Sequence, residues 1–245
     1  MNKIVLLLCL LLALPLLAQN PSADEILRAV DSNMITKTSQ ARTRMIVHGR
    51  RASRTLELIS YSEGNAKAYS EYLSPPREKG TKMLKLGDDL WIYDPGTDRS
   101  IQISGNMLKQ SVMGSDLSYE DMMEESHLLE SYSATVKGEI TYDGRDCWIL
   151  ELTANKADVS YHKRKLYVDK QRYVSLWEEW YAKSGKLLKT VKSWDVKRID
   201  NRWYPTKFLF KDELKQGKGT QYFIDEIKIN PKLPAYIFSK AMLKK

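Results

Sequence analysis

The chain is short of the residues that most chemistry needs. It holds two cysteines and three histidines in 245 residues. Cys9 lies in an apolar N-terminal run, which leaves Cys147 alone in the body of the chain. One thiol cannot close an internal disulfide, so the core must supply the stability. Cys147 stands beside Trp148 in a β-prone stretch and reads as a small buried hydrophobe. His48, His127 and His162 are far apart, and none has a second ligand at metal spacing. There is no Gly-x-Ser-x-Gly elbow and no Gly-rich phosphate loop. Glu178 and Glu179 are adjacent, and neighbours on a strand point to opposite faces, so they cannot act as an acid/base pair. No catalytic residue, cofactor or metal site is expected.

Long apolar runs are missing too, with one exception. Lys3 precedes an almost wholly apolar stretch from Ile4 to Leu17, and Ala18 offers a small residue before Gln19. That pattern is a signal peptide over residues 1–18, cleaved near Ala18. A retained anchor is the alternative, although the run is short for a bilayer span of about 20 residues. Cys9 lies far from the cut, so a lipid-modified N-terminus is not expected. The expected product is a soluble exported protein, periplasmic in a bacterium with two membranes. The formal charge is +8, and Lys3 leaves with the signal. Lysines and arginines are spread along the chain rather than massed in a tail. Export argues against nucleic acid. An anionic membrane surface, an acidic partner or a simply solvated basic surface fits such a chain.

What is present is mostly strand. Ser22-Ala23-Asp24-Glu25 is a capping box, and Ile26, Leu27, Val30 and Met34 follow at helical spacing. From Arg42 onward, β-prone runs recur about every ten residues between turn signals such as Asp143-Gly144, Ser184-Gly185 and Asp200-Asn201. Ser74-Pro75-Pro76 must end one of them. Ala235 to Leu243 reads as a short closing helix. The pattern predicts about twelve or thirteen antiparallel strands with short helices, and a sheet that long curls. The fold class is therefore mainly β (α+β): a strongly curved antiparallel sheet forming a half-open barrel, with short helices covering the concave face. No repeat or linker divides residues 19–245. Late aromatics (Trp177, Trp180, Tyr181, Trp194, Trp203, Tyr204, Phe208, Phe210) suit a sheet face, and secondarily sugar or base stacking.

Residues 106–125 change character. Four of the nine methionines, Met107, Met113, Met122 and Met123, fall here, and Gly114 interrupts the run. Unbranched, polarizable side chains suit a cover over an adaptable apolar site. The neighbouring motifs carry a family likeness: Pro75-Pro76-Arg77-Glu78-Lys79-Gly80, then Leu90-Trp91-Ile92-Tyr93-Asp94-Pro95, then Gly114-Ser115-Asp116-Leu117-Ser118-Tyr119-Glu120-Asp121. In this order the chain resembles the LolA-like, outer-membrane lipoprotein-sorting proteins, and within them a poorly characterised branch.

The resemblance implies a convex sheet whose concave side is plugged by helices, and a carrier or chaperone for lipid acyl chains or lipoprotein anchors. Strand alternation nominates the inward residues: Met45, Val47, Leu56, Leu58, Leu84, Leu86, Trp91, Tyr93, Ile101, Ile103, Trp148, Leu150, Leu166 and Val168. Periodicity alone serves a filled core and a cavity equally. The lid candidates are Met107, Leu108, Val112, Met113, Gly114, Leu117, Met122 and Met123, with Gly114 as hinge and Asp116, Glu120, Asp121, Glu124 and Glu125 facing outward. In proteins of this kind a strand arginine hydrogen-bonds the lid; Arg42 and Arg44 are the candidates here. Expected partners are lipid or lipoprotein acyl chains, an inner-membrane transporter as donor and an outer-membrane acceptor, with the carrier a monomer. Two other readings stay open. One is a cargo-free accessory or scaffold subunit of an envelope lipid-transport complex. The other is a lipid-acting hydrolase using Ser115, although Ser115 and Asp116 are transposed relative to a Gly-Asp-Ser-Leu block.

Overall fold

The computed structural model describes residues 20–49, 52–124, 127–157 and 159–245. The expected signal segment lies outside the described residues. Helix α1 (Ala23–Met34) starts at the expected box: the Ser22 N–H donates to Glu25 Oε2 at 2.8 Å and the Glu25 N–H to Ser22 Oγ at 3.3 Å. Thirteen strands follow: β1 (Thr38–His48), β2 (Ser53–Glu63), β3 (Lys67–Ser74), β4 (Lys82–Leu86), β5 (Asp89–Asp94), β6 (Arg99–Ile103), β7 (Tyr132–Tyr142), β8 (Arg145–Ala154), β9 (Lys163–Asp169), β10 (Ser175–Tyr181), β11 (Leu187–Ile199), β12 (Arg202–Asp212) and β13 (Thr220–Ile229). The closing residues form two 3-10 turns, Ala235–Phe238 and Lys240–Lys244, instead of one helix, because Ser239 is extended between them.

All thirteen strands make one antiparallel sheet in the order β6-β5-β4-β3-β2-β1-β13-β12-β11-β10-β9-β8-β7. Two meanders, β1 to β6 and β7 to β13, meet at the β1–β13 pair. Asp143-Gly144, both at positive φ, turns β7 into β8, as its sequence requires. The sheet is a curved half-barrel that does not close, so β6 and β7 are its free edges. They are also consecutive in sequence. Residues 104–131 therefore run from one edge to the other.

Three covers bury the apolar side chains. Ile26, Leu27 and Val30 of α1 pack on Tyr132, Trp148, Leu150, Leu152, Leu166 and Val168. The 104–131 connector packs on Met45, Val47, Leu56, Leu58, Tyr72, Met83, Leu90, Ile92 and Ile103. The C-terminal turns bring Ile237, Phe238 and Leu243 against Tyr69, Leu84 and Trp91, on the other face of β3 to β5.

That third cover corrects part of the inward set. Leu84, Leu86, Trp91 and Tyr93 belong to the C-terminal cluster, and Met83, Leu90 and Ile92 take the connector side. Four consecutive residues of β4, Lys82 to Lys85, are buried. A strand covered on both faces has no single apolar parity, so alternation could not choose between them. Ile101 is 52% exposed on the edge strand β6.

Candidate functional site

The connector is built from short pieces: 3-10 turns at Gly105–Lys109 and Val112–Gly114, helix α2 (Tyr119–Met123) and helix α3 (Leu128–Ser131). A tight loop forms its centre. Ser111 bridges Ser118, and the Val112 N–H donates to the Leu117 carbonyl at 2.8 Å. Met113 and Gly114 turn the chain at φ of 50° and 68°. This loop drives Val112 and Leu117 into the apolar cluster, where they are 1% and 8% exposed. Met107, Leu108, Met113 and Met123 pack at the margin of the cluster, and Met122 is 37% exposed. Most of the named lid residues thus share one apolar contact, with Val112 and Leu117 at its centre and Leu108 and the methionines around them.

Polar side chains fasten the connector to the rim of the sheet. Arg54, at the start of β2, donates to the Met113 carbonyl and pairs with Glu78 at 3.0 Å. The Lys215 ammonium donates to Ser111 Oγ at 2.5 Å and to the Ser115 carbonyl at 2.9 Å. Asp116 accepts from the Thr220 hydroxyl at 2.7 Å and from the Asp212 N–H at 3.0 Å. Lys85 donates to the Met123 carbonyl at 3.0 Å. Below α2, Asp121 meets Lys189 and the Tyr161 hydroxyl. Glu124 takes Arg164 at 2.5 Å and the Tyr132 hydroxyl at 3.2 Å. Arg164 is 5% exposed and stacks 4.6 Å from the Trp180 ring centre.

Three sequence expectations shift here. Arg42 and Arg44 do not touch the connector: Arg42 is exposed, and Arg44 forms a bidentate pair with Asp225 at 2.7 and 2.9 Å. Both alternate with Thr43, Met45 and Val47 and so face away from the cluster. Arg54 shares the parity of Leu56 and Leu58 and occupies the linking position. A charge on an apolar parity was the available signal, and Arg164 ahead of Leu166 and Val168 carries the same one. Asp116, Asp121 and Glu124 point inward into clamps rather than outward; Glu125 lies outside the described residues.

Burial pushes the Glu124 carboxyl above its ordinary value, with Arg164 opposing. Burial raises the Tyr132 hydroxyl to about 12. Tyr222 and Tyr204 are raised as well, Tyr204 to about 12, by the protein packed around them. Both keep some accessible surface. Beside Tyr222, a groove of about 240 Å³ is lined by Leu58, Met83, Leu90, Lys85 and Met122.

The serine considered as a nucleophile is tied into its own loop. The Ser115 hydroxyl accepts from the Leu117 N–H at 3.1 Å and donates to the Leu117 carbonyl at 3.3 Å, and the residue is 1% exposed. Among the described residues, no group of three His, Cys, Asp or Glu could hold a metal ion. Cys147 is fully buried, and burial pushes its thiol up to about 11.

The same overall fold is seen in solved structures. A putative outer membrane lipoprotein-sorting protein domain from Vibrio parahaemolyticus superposes with a TM-score of 0.77 at 24% identity, over 91% of this chain and 100% of that one. A DUF1329 family protein from Desulfovibrio piger gives 0.79 at 25% identity, over 89% and 96%. A LolA superfamily protein from Nitrosomonas europaea gives 0.75 at 25%, over 91% and 99%. A family model described as that of an uncharacterized protein matches residues 64–245. The chain belongs to that uncharacterised family, and its fold is LolA-like. No curated protein matches it by sequence.

In this LolA-like chain the matched family region begins at Gly64. It therefore takes in the connector, the C-terminal turns and eleven of the thirteen strands. Arg54 and the first two strands lie before it.

Proposed function

We propose that this LolA-like protein is a non-enzymatic periplasmic carrier that shelters a lipid acyl chain, or the lipid anchor of a lipoprotein, beneath the 104–131 connector. One observation carries the reading. The segment joining the two free edges covers an apolar cluster, and it is held to the rim mainly by side-chain hydrogen bonds that water can replace. The fold it shares with a lipoprotein-sorting domain supports the cargo class, and the signal-like residues 1–18 support the compartment.

The energetics permit loading and unloading. The groove of about 240 Å³ is smaller than the roughly 300–1,000 Å³ of small-molecule sites, so this conformer is closed and cargo requires the connector to lift. Lifting exposes Val112 and Leu117, at about 1.5–3 kcal/mol apiece. It also breaks links worth about 0.5–1.5 kcal/mol each, more where a charge takes part. A 16-carbon chain returns about 12 kcal/mol gross at about 0.8 per methylene. These opposing sums are of the same order, which is what a carrier that must also release requires.

Protein purified from a bacterial periplasm should retain lipid in native mass spectrometry, and a fluorescent fatty-acid probe should bind it. Leu117→Asp should weaken probe retention about tenfold or more while the far-UV spectrum stays that of the parent. Undiminished retention in that variant would show that the connector does not cover the cargo. The small closed groove favours one other reading, a cargo-free accessory subunit of an envelope lipid-transport complex. Capture of a membrane partner with no lipid uptake would select it.

A further inference from the structure

Charge is placed unevenly on the half-barrel. In an antiparallel meander alternate loops fall at the same end of the sheet. The β1–β13 register joins the two meanders so that the loops after β1, β3, β5, β8, β10 and β12 share one end. Among the described residues, those loops carry Arg77, Lys79, Lys156, Lys183, Lys186, Lys215 and Lys218 against Glu78, Asp98 and Glu213. The strand ends there add Lys82, Arg99 and Lys163 against Asp94 and Asp212. The connector brings Lys109, Asp116 and Glu120 to the same rim, which narrows the excess without cancelling it. Its Asp121 and Glu124 are matched by Lys189 and Arg164. The opposite end is close to neutral. Its loops hold Lys37, Lys170, Arg172 and Lys232 against Asp88, Asp143 and Asp200. Its strand ends set Lys67, Arg145 and Arg202 against Glu63, Asp89 and Asp169.

Several acids at the basic end are already engaged. Glu78 is held by Arg54 at 3.0 Å, Asp212 lies 3.3 Å from Lys215, and Glu213 accepts from the Thr190 hydroxyl at 2.8 Å. Arg77, Lys79, Lys183, Lys186 and Lys218 are exposed, and among the described residues their side chains make no ion pair or hydrogen bond. Leu214 is 58% exposed in the loop after β12, between Lys211 and Lys218 in sequence. Its neighbour Lys215 donates to Ser111 Oγ and to the Ser115 carbonyl, so this loop adjoins the centre of the connector.

We propose that the basic end of the half-barrel docks on the surface of an anionic phospholipid bilayer, with Leu214 entering the interface and Lys183, Lys186 and Lys218 lying against the head groups. These lysines are compact charges on flexible stems, without fixed partners and spread over separate loops. Such an array suits a diffuse, fluid negative surface, which attracts every basic residue that comes near it. Carboxylates fixed on a folded partner would meet only those lysines that the partner's shape can reach. A leucine exposed among the lysines adds an apolar foothold, and burying it in the interface is favourable. The docking goes beyond the carrier reading and needs no cargo. It sets the centre of the connector against a membrane.

Co-sedimentation with phosphatidylglycerol vesicles and with phosphatidylcholine vesicles tests the docking. The protein should bind the first and leave the second in the supernatant, and raised salt should weaken the binding. The Lys183→Gln/Lys186→Gln/Lys218→Gln variant should lose about a hundredfold in affinity, about fivefold for each charge. Lys37→Gln/Lys228→Gln/Lys232→Gln removes as much charge around the opposite end and should change the affinity by less than about twofold, because those lysines lie beyond the reach of the screened surface potential. Leu214→Ser should lose about tenfold and keep the salt dependence of the parent. An unchanged Tm in each variant separates these losses from unfolding. Equal losses in the two triple variants would reduce the attraction to net charge and overturn the oriented docking. No binding to phosphatidylglycerol at low salt overturns it outright. Vesicle binding by a protein that takes up no lipid sustains the docking while the carrier reading falls, and lipid uptake without vesicle binding does the reverse.

Discussion

Two of the three covers on this sheet, α1 and the connector, solve one problem with different materials. Helix α1 is twelve residues long, closed by a reciprocal cap, and seals its half of the barrel with Ile26, Leu27 and Val30, each at most 5% exposed. Asn33 then ties its end to the Arg172 and Tyr173 carbonyls at 2.9 and 3.0 Å and to the Trp203 N–H at 3.1 Å. Among its described residues, the connector has no helix longer than five residues. It buries two branched side chains, surrounds them with methionines and takes its hold from arginine, lysine and aspartate. Apolar burial cannot be traded for solvent contacts at no cost, whereas the exposed latches from Arg54 and Lys215 exchange with water at a net of about 1.5–3 kcal/mol each. One cover is therefore a fixed wall, and the other is fit to move.

The sharpest way to break this contrast is to damage both covers equally. Leu27→Ala should cost about 2–5 kcal/mol of global stability, read as a fall in the denaturant midpoint. Val112→Ala, which removes a core side chain of similar depth, should cost far less globally. Its effect should be faster hydrogen exchange confined to residues 105–123. Equal losses of global stability would mean that the connector belongs to the folding core and is no lid.

Removing latches sharpens the comparison. Arg54→Met should speed exchange across Val112–Leu117 by about one to two decades, the equivalent of about 1.5–3 kcal/mol for a lost hydrogen bond to a charged group. Arg44→Met, which unpairs a surface aspartate, should leave that exchange unchanged and cost about 0–1 kcal/mol globally.

The smallest effect is in pH, and it has opposite signs in the two halves. Asp169, on the α1 side, is buried, which opposes its charge. The Arg145 guanidinium at 2.8 and 3.0 Å and the Gln171 and Arg172 N–H groups outweigh this and hold its carboxyl below the usual range. A depressed value contributes stability present above the ordinary carboxylate range and lost as pH falls through the folded value. Glu124 is raised, chiefly by burial, so its contribution is present below the ordinary value of 4.5 and lost as pH rises through the higher folded one. Mild acid should slow exchange at α2, and stronger acid, below the ordinary carboxylate range, should weaken the β8–β9 corner. Glu124→Gln should flatten the first trend and leave the second.

Much of the fold was legible because turns and caps are local. Strands β8, β11 and β12 start within two residues of the turn signals Asp143-Gly144, Ser184-Gly185 and Asp200-Asn201, since turn residues admit few backbone conformations. The Ser22 box placed α1 for the same reason. The site was less legible. β4 and β5 are buried on both sides by segments distant in sequence, so their parity carried no message about which side faces the connector. The buried partnership of Asp121 with Lys189 joins residues 68 apart in sequence, and no local pattern announces it. Arg54 was readable after the fact: a cation on the face of Leu56 and Leu58 needs a reason to be there.

The connector is tethered at both ends to the outermost strands of an open sheet. It is clasp and flap in one piece. If it swings away from the apolar cluster, the tie between β6 and β7 slackens in the same motion, and the gap between them is free to widen. Aperture and cover are then a single degree of freedom, and a partner that pulls on either free strand holds a handle on the other.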